Sequence, residues 1–66
     1  MTFKEAMLIY LKNQGKDVNY LAKKLNISVQ SVYAKERPSI KFIRQFCDLM
    51  NCYIVSDGYT YNILDK

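Results

Sequence analysis

The apolar residues of this 66-residue chain change their spacing once, at Cys52. Before Cys52 they recur at steps of three and four residues, which is the period of an amphipathic α-helix. After it come two runs, CYIVS and YTYNIL, that are rich in the β-branched and aromatic residues typical of strands. We therefore predict one domain, residues 1–66, that is mostly α-helical and ends in a small β element.

Helix-capping residues predict where the helices begin and end. Thr2 and Glu5 can form a capping box, and Gly15 permits a left-handed stop. Asp17 and Ser28 are suited to cap the second and third helices. The four helices are predicted at about residues 3–14, 18–25, 29–36 and 39–51.

Three further positions are predicted to interrupt the helices. Asn26 and Asn51 tolerate a positive φ and can end the second and fourth helices. Arg37 precedes Pro38 and is therefore disfavoured in the α region, which ends the third helix. The positions predicted to face the core are Phe3, Ala6, Met7, Tyr10 and Leu11, then Leu21, Ala22, Leu25 and Ile27, then Val32, and finally Ile40, Ile43, Phe46 or Cys47, and Met50.

The last fifteen residues predict a two-stranded antiparallel hairpin over residues 52–56 and 59–64. Asp57-Gly58 between two strand-like runs is a strong signal for a two-residue hairpin loop. This loop predicts three opposed pairs: Ser56 with Tyr59, Ile54 with Tyr61, and Cys52 with Ile63. The face containing Cys52 and Ile54 is expected to cover the helices.

Composition argues against several functional classes. The chain has no histidine, no glycine-rich phosphate loop and no paired carboxylates at useful spacing, so an enzyme is the least favoured class. Cys47 and Cys52 are too few for a disulfide framework or a four-ligand metal site, and we expect no cofactor or metal. No signal peptide or membrane-spanning run is predicted, which indicates a reduced, cytoplasmic location and no membrane partner.

Positive charge is concentrated in the middle of the chain. Between Lys12 and Arg44 there are eight cations and two acids, a balance of +6, whereas the balance from Cys52 onward is −1. This distribution indicates a surface that faces a polyanion, or an ordinary solvated lysine-rich surface, and a separate structural or pairing element.

One stretch matches a specific arrangement of two short helices and a tight turn. The pattern Leu21-Ala22-x-x-Leu25-Asn26-Ile27-Ser28-x-x-x-Val32 resembles the helix-turn-helix of phage repressor and Cro-type (lambda repressor-like) DNA-binding domains. The likeness extends over residues 3–51, and the C-terminal hairpin is similar to that of Cro, where a C-terminal strand pairs across a dimer. The chain departs from the family at Val18, where glutamine is frequent, and at Asn26, where glycine is usual.

The resemblance implies that the third helix reads the major groove of double-stranded DNA. Gln30 is suited to contact adenine, and Val29 and Ala34 to pack on a thymine methyl group. The implied base-reading residues are Val29, Gln30, Tyr33, Ala34 and Arg37. The implied backbone contacts are Ser28, Ser31, Lys35 and Lys41, with Lys16, Lys23 and Lys24 as weaker candidates.

A reader of this size is expected to act as a homodimer, because a single copy buries little surface on DNA. The second hairpin strand is expected to pair with its copy through its open edge, with Tyr59, Tyr61 and Ile63 at the interface. The sequence therefore favours a sequence-specific transcriptional regulator of phage or mobile-element repressor type.

Two alternatives remain open at the level of sequence. Tyr33 can be either a base reader or a structural residue whose side chain lies half in the core and half at the surface. The whole protein can instead be a protein-interaction module, similar to an antirepressor, because Val18, Val29 and Ala34 make the reading face less polar.

Overall fold

Four helices followed by a two-stranded antiparallel sheet make up the part of the chain that the computed structural model describes, residues 2–35 and 37–66. The elements are α1 (Phe3–Asn13), α2 (Val18–Leu25), α3 (Val29–Tyr33), α4 (Ile40–Met50), β1 (Cys52–Ser56) and β2 (Tyr61–Asp65). The predicted fold class, mostly α with a C-terminal β-hairpin, is confirmed. None of the helices in the described residues is long and apolar enough to cross a membrane.

The predicted caps start the helices. In the capping box of α1, the Glu5 N–H donates to Thr2 Oγ1 and the Thr2 N–H donates to Glu5 Oε1, each at 3.2 Å. These contacts with Thr2 lower the pKa of the Glu5 carboxyl. At the predicted cap of α2, Asp17 Oδ1 accepts the Tyr20 N–H at 2.8 Å. Ser39, predicted as the first residue of the fourth helix, is instead its cap, and its Oγ accepts the Phe42 N–H at 3.2 Å. Each cap satisfies a backbone donor that the helix itself leaves free.

A tight turn joins α2 to α3 where the sequence predicts one. Asn26 has φ 57° and ψ 45°, in the left-handed region. The chain then reverses so that the Ile27 N–H donates to the Ala22 carbonyl at 3.0 Å. Ala22 is 4% exposed, and its small side chain fits the close approach of the two helices. Asn51 ends α4 in the same left-handed conformation, with φ 55°.

An aromatic cluster centred on Phe3 forms the middle of the core. Its ring makes edge-to-face contacts with Phe42, Phe46 and Tyr61, at centroid distances of 6.0, 6.1 and 5.5 Å. Such contacts add to the large apolar area that each ring buries. The buried hydrophobic residues are Phe3, Ala6, Met7, Tyr10, Leu11, Val18, Leu21, Ala22, Val32, Phe42, Phe46 and Cys52.

The predicted inward face of α4 is wrong at its start. Ile40 is 71% exposed, whereas Phe42, which was not predicted to face the core, is 4% exposed. Two successive three-residue steps, from Ile40 to Phe46, rotate a position by roughly 120° around a helix with 3.6 residues per turn. The four-residue step from Phe42 to Phe46 keeps both rings on one side.

The third helix ends at Tyr33, three residues before its predicted end at Glu36, which lies outside the described residues. The Ala34 N–H still donates to the Gln30 carbonyl, but the Lys35 N–H donates to the Val32 carbonyl, a tighter three-residue closure. The helix ends early because the chain must pass through Pro38 to reach Ser39, the cap of α4. Ala34 and Arg37 therefore follow the helix instead of lying on it.

The register of the hairpin differs from the prediction by two residues. Ser56 pairs with Tyr61, Ile54 with Ile63 and Cys52 with Asp65, not with Tyr59, Tyr61 and Ile63 as predicted. The cause is the turn, where the Asp57 carboxylate accepts the N–H groups of Tyr59 and Thr60 at 2.9 and 2.8 Å. The Asp57 N–H also donates to the Thr60 carbonyl, so the two central residues are Gly58 and Tyr59, with Gly58 at φ 97°.

A two-residue shift leaves every side chain on its predicted face of the sheet. Ile54, Tyr61 and Ile63 pack against the core, and Cys52 is fully buried. The hairpin is also fastened to α1, because the Tyr10 hydroxyl donates to Asp65 Oδ1 at 2.6 Å. The opposite face exposes three large apolar side chains by about half: Tyr53, Val55 and Leu64.

Candidate nucleic-acid interface

The surface of α3 divides into a buried and an exposed side. Val32 is 0% exposed and holds the helix on the core, while Gln30 is exposed on the other side. Ala34, another predicted base reader, is also exposed. Val29 is half-buried and packs against the core, so only part of its side chain is available for an external contact.

Tyr33 is a surface residue that lines a groove beside α1 and α2. It is 45% exposed and lines a groove of about 270 Å³ together with Val18, Lys12 and Lys16. The ring therefore lies beside the first turn of α2, and two lysines border it. Val18, one of the positions at which the chain departs from the pattern that it resembles, is 8% exposed and contributes to the core.

The two serines predicted to contact the DNA backbone, Ser28 and Ser31, are hydrogen-bonded to each other. Ser28 Oγ accepts the Ser31 N–H at 3.0 Å and donates its own proton to Ser31 Oγ at 2.9 Å. The Ser28 hydroxyl is therefore already used as the cap of α3. Ser31 Oγ accepts this bond and retains its own proton for an external acceptor.

The cations that follow α3 lie at its C-terminal end. Arg37 and Lys41 are exposed, as predicted for backbone or base contacts. Lys35 is half-buried, and its Nζ lies 5.1 Å from the centroid of the Phe42 ring. This cation–π contact fixes the Lys35 ammonium group between the end of α3 and the start of α4.

A second group of cations lies near Tyr20, and the sequence predicts its members only as weaker candidates for contact with the DNA backbone. The Nζ atoms of Lys16 and Lys24 lie 4.6 and 5.9 Å from the Tyr20 ring centroid. Lys16 also borders Tyr33 across the groove, as does Lys12. The four-residue spacing of Tyr20 and Lys24 indicates that they share one side of α2, and Lys16 precedes the cap of that helix by one residue.

The three predicted dimer residues are not all brought together: Tyr61 shares one groove with Ile63 and another with Tyr59. Tyr61 and Ile63 are half-buried and face the first helix, where they line a groove with Ala6 and Ile9. Tyr59 lies at the hairpin tip, 90% exposed. In the described two-stranded sheet, β2 pairs with β1 along one edge only, so its other edge is open.

The Cys52 thiol is a poor nucleophile. Burial and the neighbouring Cys47 raise the pKa of Cys52 to about 12, so its thiol stays protonated near neutral pH. Both cysteines are free, and in residues 2–35 and 37–66 no cluster of three or more histidine, cysteine, aspartate or glutamate side chains could hold a metal ion.

No family model, curated protein or solved structure matches the chain. An inference about function therefore depends on the arrangement of these side chains.

Proposed function

We propose that this protein is a sequence-specific double-stranded DNA-binding transcriptional regulator of the phage or mobile-element repressor and Cro type. In this proposal α2, the turn at Asn26 and α3 act as a helix-turn-helix, and α3 enters the major groove. The main support is the position of Gln30, exposed directly opposite the buried side of α3. A glutamine amide can both donate to and accept from the edge of adenine.

The short α3 restricts which residues can read bases. Its five residues, Val29–Tyr33, form about one and a half turns. The helix exposes Gln30 and Tyr33, and Ala34, which follows it, is exposed too, whereas Val29 is partly covered. We therefore assign the main base contact to Gln30, with Ala34 against a thymine methyl group and Tyr33 at the edge of the groove.

Cations around Tyr33 supply the attraction to phosphate. Lys12 and Lys16 border its ring, and Lys35 and Arg37 follow it in the chain. These contacts add affinity that does not depend on base sequence and that weakens as salt displaces them. Affinity for duplex DNA is therefore expected to fall steeply between low and physiological salt.

We further propose that two copies bind together through the open edge of β2. The chain has no lysine or arginine from residue 45 to residue 65, so the hairpin lies outside the basic part of the chain and two copies can approach there with little repulsion. Ile9 is 49% exposed beside this edge and would be covered by the second copy. Two such subunits would read half-sites about one helical turn apart.

Selection of bound sequences from random duplex DNA tests the proposal. The wild type is expected to enrich a defined motif, and Gln30→Ala is expected to relax it at one or two positions, at a cost of about 1–3 kcal/mol. Gln45→Ala is the matched control, because Gln45 is exposed on α4 and outside the proposed interface. Equal enrichment by wild type and Gln30→Ala, or no enrichment at all, would contradict the assignment.

One observation favours a second function, a protein-interaction module on the same scaffold. The outward face of the hairpin exposes Tyr53, Val55 and Leu64, an apolar surface on a small molecule. A salt titration separates the two functions. Duplex binding that weakens steeply with salt supports DNA recognition, whereas no duplex binding at low salt supports the protein partner.

A further inference from the structure

The tip of the hairpin shares a cleft with the segment that follows α3. Arg37, Gly58, Tyr59 and Tyr61, with Thr2, line this cleft, which has a volume of about 330 Å³. Arg37 is four residues beyond Tyr33, the last residue of the proposed reading helix. The cleft therefore brings the hairpin tip next to a cation that belongs to the proposed DNA-binding surface.

Tyr59 projects from this tip almost without contacts. It is 90% exposed, more than any other large hydrophobic side chain in the described residues. The turn that holds it is well ordered by hydrogen bonds, because Asp57 Oδ1 accepts the Tyr59 N–H at 2.9 Å and Ser56 Oγ accepts the Gly58 N–H at 3.1 Å. An aromatic ring held out by a fixed turn loses little conformational entropy when it packs on a partner.

We propose that the hairpin tip is a second DNA-contacting element, which touches the same duplex beside the site read by α3. The Arg37 guanidinium would bind a backbone phosphate, and the Tyr59 ring would pack on an adjacent deoxyribose. The inference rests on the proposed function and extends it from one reading helix to two contact points. It also removes Tyr59 from the predicted dimer interface.

Asp57 supplies an independent test of this placement. Hydrogen bonds from Thr60 and Tyr59 lower the pKa of its carboxyl, so the tip has a negative charge. A phosphate close to the tip would be repelled by this charge. Asp57→Asn retains a side-chain acceptor for the turn and is expected to strengthen duplex binding more than Asp48→Asn, which removes an exposed acid on α4.

The absence of tryptophan from the chain permits a direct measurement at the tip. Tyr59→Trp introduces a single fluorophore at the proposed contact, and Tyr53→Trp introduces one on the outward face of the sheet as a matched control. The duplex should contain the selected site and extend beyond it on both sides. We expect bound duplex to quench the emission of Tyr59→Trp and to leave that of Tyr53→Trp unchanged. Tyr59→Ala is expected to weaken binding about fivefold or more, and Tyr53→Ala to leave it unchanged.

The possible failures are distinguishable. If anisotropy shows that labelled duplex binds but the emission of Tyr59→Trp does not change, the second contact is wrong and the reading helix stands. If the emission of Tyr59→Trp shifts with protein concentration in the absence of DNA, the tip contacts a second copy, which also overturns the inference. If the wild type binds no duplex at low salt, the proposed function fails and the second contact with it.

Discussion

Tyr10 joins the helices to the hairpin through a single hydroxyl group. Its ring is 7% exposed in the core, while its hydroxyl donates to Asp65 at the end of β2. Gln14 also donates to the same carboxylate oxygen, at 3.4 Å. Burial and the hydrogen bond to Asp65 raise the pKa of the Tyr10 hydroxyl far above its ordinary value of 10.0. Tyr10 and Cys52 are therefore two neighbouring groups that the fold keeps protonated.

This arrangement predicts that the protein loses stability in alkaline solution. The unfolded chain releases the Cys52 proton near its ordinary pKa of 9.0, whereas the folded chain keeps it to about 12. Between these values the folded state binds more protons than the unfolded state, so the free energy of unfolding falls as pH rises. Tyr10 adds a further loss above its ordinary 10.0. Urea unfolding at several pH values between neutral and alkaline should show this decline.

Variants at Tyr10 and Cys52 test which groups cause the fall in the free energy of unfolding at alkaline pH. Tyr10→Phe is expected to lower the free energy of unfolding by about 1 kcal/mol at neutral pH, through loss of the bond to Asp65. It should also flatten the alkaline slope, as should Cys52→Ala. Tyr53→Phe, at a half-exposed position on the outward face, is the control and should change neither quantity. Alkaline slopes that are the same in all four proteins would contradict this account.

At the scale of elements, the turn between α2 and α3 depends on the backbone conformation of one residue. Asn26 sits at φ 57°, a region that most residues with a Cβ avoid. Asn26→Ala is expected to lower the free energy of unfolding by about 1 kcal/mol, and Asn26→Gly to leave it unchanged or slightly higher. Denaturant midpoints measure both. Equal loss in the two variants would show that the asparagine side chain, and not the backbone conformation, stabilises the turn.

The elements differ in how much of their structure could be predicted from sequence. Helix starts were predictable because a cap is a local interaction, as at Thr2, Asp17 and Ser28. The hairpin register was not, because Asp57 could act either within the loop or as a side-chain acceptor before it, and only the second occurs. The face of the sheet on which each side chain lies was still predicted correctly, because it depends on the alternation of side chains along a strand and not on the loop.

The candidate interface shows the same division. The exposure of Gln30 and the burial of Val32 follow from helical period within one element, and both were predictable. The neighbours of Tyr33 and Arg37 were not, because Lys16 and Tyr59 reach them from other elements. Such contacts between distant residues depend on how the helices and the hairpin pack together.

At the scale of the whole molecule, the cations and the open strand edge belong to different parts of the chain. Eight of the ten lysine and arginine residues lie between Lys12 and Arg44, and none lies in the hairpin strands. Under the proposed function, a subunit of 29 × 22 × 18 Å would cover about one half-site of DNA, and two copies would be needed to read a longer operator. The proposed pairing through β2 would therefore bury no lysine or arginine of the strands themselves.

The hydrogen-bond pattern of the sheet shows which backbone groups are available for that pairing. At one end the Asp57 N–H donates to the Thr60 carbonyl, and at the other the Lys66 N–H donates to the Asn51 carbonyl. Hydrogen-bonded and non-hydrogen-bonded pairs alternate along an antiparallel ladder, so the pair of Ile54 and Ile63 is non-hydrogen-bonded. The N–H and carbonyl of Ile63 therefore point away from β1, towards the open edge.

A backbone N-methyl group at Ile63 tests the pairing without changing any side chain. Residues 52–66 begin with a cysteine, so a synthetic C-terminal segment can be joined to the rest of the chain by ligation at Cys52. We expect the ligated, unmethylated chain to form dimers at micromolar concentration in size-exclusion chromatography with light scattering. The N-methylated chain should keep its helical circular dichroism, remain monomeric and bind duplex DNA more weakly, because removal of an edge donor and added bulk oppose strand pairing. Dimers of equal stability in both chains would show that the contact between subunits lies elsewhere. An unmethylated chain that remains monomeric even when bound to a full operator would show that binding requires no contact between subunits.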